Sequence, residues 1–213
     1  MPKLLMIAPA PVIEKDSGEL VLDVKFVEGM RLHVEQWDGP VTCILKRGAA
    51  DIPFGMTYDP ADLGFDLKVI SPDTQFPVDG LTESDLIFAA ADMHDVLHLA
   101  APGFRPPGAK LIYAIEYDLN TRMQIASLDK NRSFLRKART KLWLMNQERR
   151  RRSALRKCDG IQANGYPAFA AYSPLNKQSM MYLDGRMESA AMVTSDEQAA
   201  RAAYLRSGAP LRI

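Results

Sequence analysis

Cysteine and histidine are scarce in this sequence, and long apolar runs are missing. Two cysteines, Cys43 and Cys158, stand 115 positions apart in 213 residues, and there are three histidines. That spacing excludes a disulfide-stapled scaffold or a cysteine-rich zinc module, and with no signal sequence it points to a reducing, cytoplasmic compartment. The opening Met1-Pro2-Lys3-Leu4-Leu5-Met6-Ile7-Ala8 carries one positive charge and then five apolar residues. This is too short for the apolar region of a signal peptide and reads as a first strand. No run approaches the ~18 to 20 apolar residues that a bilayer crossing requires.

Several motifs are also missing. A dinucleotide-binding fold places Gly-x-Gly-x-x-Gly directly after its first strand. Here the strand leads into Ala8-Pro9-Ala10-Pro11, and the first glycine is Gly18. There is no Gly-x-Ser-x-Gly elbow for a serine nucleophile. The absence of an Asp-x-Asp pair argues against a metal clamp on a nucleotide diphosphate. His94 and His98 lie four apart beside Asp92 and Asp95, so on a helix they would share a face. A third ligand at useful spacing is not visible, and the sequence favours surface or helix-cap histidines and no metal site.

What the sequence does contain is an ordinary globular composition, 47% hydrophobic and 25% charged. A chain of this length buries roughly 70% of the surface of its unfolded form without help from metals or disulfides. Short apolar runs at Leu4 to Ala8, Val41 to Leu45, Leu67 to Ile70, Leu86 to Ala90 and Leu111 to Ile115 are too continuously apolar for a sheet with one wet face. They predict an α/β fold, a parallel sheet with helices on both faces. Val27, Met30, Val34 and Trp37 share one helical face in a helix ending before Gly39-Pro40. The stretch from Arg47 to Phe65, with three glycines and two prolines, reads as a long loop. Asp92 to Ala100 reads as a short helix. A long helix is expected from Ser133 to about Lys157, then a strand at Ile161 to Ala163, a helix near Pro167 to Tyr172 and a strand at Met180 to Leu183. A last helix opens on the capping box Thr194-Ser195-Asp196-Glu197. The terminal Pro210-Leu211-Arg212-Ile213 looks like the start of another strand, as in a truncated or split reading frame.

Three features could carry chemistry. Asp16-Ser17-Gly18-Glu19 could bring a hydroxyl and a backbone amide beside a ligand at the carboxyl ends of the strands, or it could be an ordinary polar turn. Glu116 follows a strand directly, where open α/β sheets hold ligands, although strand-end carboxylates also cap helices. Arg122, in the first turns of the next helix, could pair with Glu116 or with an anionic ligand. The third feature is charge. The 27 Lys and Arg against 26 Asp and Glu leave a net charge of only +1. Residues 130 to 157 nevertheless hold twelve basic residues against the single acid Glu148, giving +11, while the other 185 residues carry 15 basic and 25 acidic groups, giving −10. Arg136, Arg139, Arg149, Arg150, Arg151 and Arg152 interleave there with Phe134, Leu135, Leu142, Trp143, Leu144 and Met145. This is the pattern of a basic amphipathic helix on an anionic membrane surface. Nucleic acid is the competing anion, which would make the chain a nonenzymatic anion-binding module, and a solvated helix face is the third reading.

The order of elements resembles the N-terminal, acceptor-side domain of a GT-B glycosyltransferase of the large retaining family 4, also called group 1. Besides Leu4-Leu5-Met6-Ile7-Ala8-Pro9, the resemblance rests on Cys158-Asp159-Gly160-Ile161-Gln162-Ala163-Asn164-Gly165 and Tyr182-Leu183-Asp184-Gly185-Arg186-Met187. These resemble the family's "Ala-Asp-x-Ile-x-x-x-Ser" and "Pro-Asn-Gly-Val" strands. The chain departs from many members in having a glycine-poor Pro9 to Gly18 turn, and Glu116 followed by Tyr117 where they carry a histidine. The resemblance implies one Rossmann-like half, residues 1–207, with 208–213 starting a missing C-terminal donor domain that would bear the family's Glu-x7-Glu element. It further implies nucleotide-sugar-dependent transfer with retention, no metal and no cofactor beyond the donor, and no transfer by this half alone. Glu116 is then the catalytic candidate, and Ser17, Gly18, Arg122, Asn164 and Gly165 are the acceptor-binding candidates. The acceptor would be a sugar or lipid-linked sugar in cell-surface polysaccharide or glycolipid synthesis, on a cytoplasmic protein peripheral to the inner face of the membrane.

Overall fold

The structure, a computed structural model, describes residues 1–48, 51–76, 81–128, 133–183 and 193–208. Its first strand, β1 (Leu4–Glu14), opens with four consecutive buried residues, Leu4 to Ile7, and runs well past the expected end at Ala8. The extension follows a register shift between Ile7 and Pro11. Prolines cannot donate to a ladder and sit where pairing is already broken. Beyond the shift the strand turns back as a hairpin with β2 (Leu20–Asp23), Ile13 opposite Val21. Asp23 then caps α1 (Val24–Gln36) by accepting from the Lys25 amide at 2.7 Å.

The helix buries Val27 and Met30 and leads to β3 (Val41–Arg47), completing the β-α-β unit expected from the sequence. Within the stretch read as a loop, a short strand β4 (Gly55–Tyr58) pairs antiparallel with β2 and a 3-10 turn spans Pro60–Asp62. The remaining strands are β5 (Asp66–Ile70), β6 (Leu86–Ala90), β7 (Lys110–Ile115), β8 (Gly160–Asn164) and β9 (Ser179–Tyr182). Between them lie α2 (Leu119–Ser127), α3 (Phe134–Lys157) and α4 (Gly165–Tyr172). The helix expected over Asp92 to Ala100 is replaced by turns and a 3-10 segment, Leu97–Ala100. There the Val96 carbonyl accepts both the Leu99 amide and the Tyr113 hydroxyl, which holds the segment as a tight turn.

The parallel strands lie in the order β5-β3-β1-β6-β7-β8-β9. Counted along the chain, this is the doubly wound Rossmann-like order, in which the sense of winding reverses between β1 and β6. Alternation divides the core. Leu5, Ile7, Ile44, Ile87, Tyr113 and Ile161 pack with Ala154, Leu155 and Tyr172. Leu4, Met6, Val41 and Cys43 pack with Val27 and Met30 of α1 on the opposite face. Helices therefore cover both faces, which is the α/β architecture expected from the apolar runs.

This compact unit spans Met1–Tyr182. A second unit, Leu183–Ile213, holds α5 (Ser195–Arg206), which starts on the expected capping box: Glu197 accepts from the Thr194 amide at 2.8 Å. The motif residues 184–187 and the strand-like 210–213 lie outside the described residues. Among the described residues no helix is long and apolar enough to cross a membrane.

Candidate functional site

Ligands of open α/β sheets bind beyond the carboxyl ends of the strands near the point where the winding reverses. Three polar side chains occupy neighbouring positions there. Asp92 lies two residues beyond the end of β6, Glu116 follows β7, and Asn164 closes β8. The pairings Ala90↔Ala114 and Ile115↔Ala163 put these residues in consecutive places along one edge. Asn164 also takes the N-cap position of α4, and Gly165 follows with φ +74°, a backbone conformation that disfavours any side chain. The sequence-predicted Glu116, Asn164 and Gly165 are thus neighbours at one edge.

Asp92, which the sequence offers only as a neighbour of His94, organises this edge. Its Oδ2 accepts the Glu116 amide at 2.9 Å, and its Oδ1 is ion-paired with Arg122. Arg122 also donates to the Tyr117 carbonyl at 2.9 Å and lies over the Tyr117 ring. The expected partnership of Arg122 is therefore taken by Asp92, which reaches it from the β6 end. The Arg122 Nε is buried without a hydrogen-bond partner among the described residues. Glu116 itself is exposed. Its negative charge is the main cause of a raised Tyr117 pKa, with burial and Asp92 adding to it.

A second polar layer supports these loops from behind. Arg151, with only 2% of its surface exposed, donates to the Ala91 carbonyl at 2.9 Å and to Glu148 Oε2 at 3.0 Å. Tyr172 donates to the same Glu148 oxygen at 3.1 Å, and its hydroxyl is pushed up in pKa by burial and then by the Glu148 charge. A buried polar group without partners would cost several kcal/mol, and here each is met by another. Glu148 carried a readable signal: it is the only acid in the basic segment.

The assignment of Arg151 to an anion-binding surface is corrected by its burial. Successive residues on a helix point about 100° apart, so four arginines in a row cannot share one face. Arg149 and Arg150 are exposed, Arg151 points into the core and Arg152 is partly covered, with Glu148 Oε1 at 3.8 Å. Arg136 and Arg139 are exposed on the first half of α3.

Ser17 and Gly18 sit at the turn of the β1–β2 hairpin, where Ser17 donates to Glu19 at 2.8 Å and the Gly18 amide to the Lys15 carbonyl at 2.9 Å. These bonds stay within the turn, and the hairpin's pairing strands are β1, β2 and β4 rather than the strands that bear Glu116 and Asn164. His94 packs edge-on against Trp143 at 4.9 Å, and His98 Nε2 lies 2.8 Å from the Phe76 carbonyl. Both histidines thus make packing contacts within the fold. Burial raises the pKa of the Cys43 and Cys158 thiols, which keeps both protonated and unreactive.

Neither the protein-family models nor the curated proteins give a match to this chain. Among solved structures, apo UGT2 of Phytolacca americana aligns with a TM-score of 0.47 and 11% identity, over 94% of this chain and 54% of that one. A UDP-glucosyltransferase from Polygonum tinctorium capable of glucosylating indoxyl, solved as a complex with 3,4-dichloroaniline, aligns with a TM-score of 0.40 and 10% identity, over 94% and 55%. The chain spans about half the length of these two structures.

Proposed function

We propose that this chain is the acceptor-side half of a nucleotide-sugar-dependent, retaining glycosyltransferase of the GT-B type, of the family 4 kind, working in cell-surface polysaccharide or glycolipid synthesis. The observation that supports it most is the row Asp92, Glu116 and Asn164 at consecutive strand ends next to the reversal of a Rossmann-like sheet. A carboxylate exposed at that position can accept a hydrogen bond from the hydroxyl of a sugar acceptor and orient it. Asp92 contributes indirectly, because its bond to the Glu116 amide fixes the backbone from which that carboxylate projects.

In this reading a second domain supplies the donor. The bond between the sugar anomeric carbon and the diphosphate oxygen breaks, the acceptor oxygen bonds to that carbon on the same face, and the hydroxyl proton leaves with the nucleoside diphosphate. Neither a metal nor a further cofactor is invoked. Arg122, Ser17, Gly18 and Gly165 remain acceptor-binding candidates beside Glu116, and the acceptor is a sugar or a lipid-linked sugar.

The test is saturation-transfer NMR of the purified chain against a panel of sugar acceptors, paired with turnover assays of the chain joined to a donor domain. Expected is acceptor binding that Glu116→Gln weakens, and a fall in turnover of about 10²-fold or more. Unchanged turnover in that variant, or no acceptor binding across the panel, would overturn the reading.

A further inference from the structure

We propose that the paired ends of α2 and α3 form a docking element for an anionic lipid bilayer. The inference stands on this surface alone and holds whether or not the chain transfers sugar. The second half of α3 is anchored in the body, with Gln147, Glu148, Arg151, Ala154 and Leu155 buried. The first half has no buried residue; besides the contact of Trp143 with His94, its neighbour is α2, with which it encloses a recess of about 250 Å³ lined by Met123, Ala126, Phe134 and Ala138 and by Lys137 and Lys141. A basic helix lying flat along its whole length on a membrane, as the sequence suggests, is therefore not available. A firm stalk with a free end is.

That free end is apolar where a water-exposed helix end should be polar. Leu128 is 74% exposed, Ile125 52%, Phe134 83%, Leu135 79% and Leu142 68%. Several large apolar side chains exposed on two neighbouring helices mark an interaction surface. The charges on this part of the sequence are predominantly of one sign. Arg136, Lys137, Arg139 and Lys141 alternate with the apolar residues of α3, and Asp129 is the single acid from 119 to 147. Among the described residues none of these four cations makes an ion pair, whereas Arg122 and Arg151, nearer the body, do.

The combination selects among anions. Nucleic acid would satisfy the cations but leave Phe134, Leu135 and Leu142 in water. An anionic bilayer meets both needs, since apolar side chains enter the acyl boundary while Lys and Arg stay at the phosphate level with their alkyl stems buried. Trp143, on the same half of α3, packs one side of its ring against His94 and is otherwise exposed, so its fluorescence reports lipid that reaches this surface.

Vesicle co-sedimentation of the full chain tests the idea, with phosphatidylcholine vesicles compared with vesicles containing a third phosphatidylglycerol. Binding is expected only to the anionic vesicles, falling with added salt, with Trp143 fluorescence quenched by brominated lipid. Arg136→Gln with Arg139→Gln should lower partitioning about 30-fold, the effect of two cations near such a surface. Phe134→Ser with Leu135→Ser should lower it at least 10-fold and abolish the quenching, with an unchanged melting temperature showing that the fold survives. Equal binding to neutral vesicles, full binding by the Phe134 and Leu135 variant, or salt-sensitive binding to duplex DNA without vesicle binding would each overturn the proposal. So would concentration-dependent self-association abolished by that variant in a chain that ignores vesicles.

Discussion

Arg151 and Glu148 lie one helical turn apart on α3 and are buried together, joined at 3.0 Å, with the Arg151 Nε on the Ala91 carbonyl at 2.9 Å. The pair connects the long helix to the end of β6, one residue before Asp92. A charge that faces inward from a helix so rich in outward charges has a structural task, and removing it should cost accordingly.

Arg151→Met leaves the Glu148 carboxylate buried with the Tyr172 hydroxyl and a distant Arg152. Breaking a buried pair from one side costs about 3 to 5 kcal/mol. For a chain of this size that lowers the melting temperature by roughly 10 °C. The double variant Arg151→Met with Glu148→Leu should recover much of the loss, because the unpaired charge is gone. Thermal melting of both variants checks this, and equal melting temperatures for Arg151→Met and the parent would remove the pair from the account.

Glu116 and Asp92 should separate in their effects. Glu116 is exposed, so Glu116→Gln should leave the melting temperature within about 1 to 2 °C while lowering acceptor affinity or turnover. Asp92 is largely buried and holds both Arg122 and the Glu116 amide. Asp92→Ala should therefore destabilise by about 2 to 4 kcal/mol and also weaken acceptor binding. Denaturation curves and ligand titration on the same two proteins distinguish a group that meets ligand from one that positions it.

The parallel sheet, the helix under Val27 and Met30 and the long helix from Ser133 were legible because apolar periodicity reports burial directly. Asp92 shows the limit. It obeys the strand-end logic that picked out Glu116, but the expected helix over Asp92 to Ala100 hid how closely it follows β6. Arg151 shows another. Composition counts charges, whereas the 100° step of a helix decides which of them reach solvent. The β1–β2 hairpin was invisible because its prolines read as the end of a strand, when they mark the register shift after which the strand continues.

Gly39 is held by contact rather than by its own backbone angles. A Cβ there would lie 2.2 Å from the Pro2 carbonyl oxygen and 3.2 Å from Trp37 Nε1, the very donor that binds that oxygen at 2.9 Å. A backbone oxygen cannot swing away as a side chain would, so Gly39→Ala must displace the segment before β1. The expected cost is about 1 to 3 kcal/mol. Combining it with Trp37→Phe should add little, because the bond from Trp37 to Pro2 is already lost. Full additivity of the two melting shifts would contradict this arrangement.

His94 gives the pH dependence. Partial desolvation of its otherwise exposed ring, which packs against Trp143, lowers its pKa, with Asp95 opposing and Arg151, Arg150 and Arg122 adding to the effect. The unfolded chain, with an imidazole pKa of about 6.5, then binds the proton more readily than the folded one. Stability rises with pH wherever the unfolded state holds more protons. This contribution is complete above pH ~6.5 and is lost as pH falls from there through the lower, folded value. Urea denaturation of the parent and of His94→Gln at pH 7.5, 6.5 and 5.5 reads the effect. The gap between the two proteins should narrow, or change sign, in favour of the variant as pH falls. A gap that stays constant across the three pH values would show that His94 remains equally easy to protonate in the folded chain, and the packing against Trp143 would then not desolvate it.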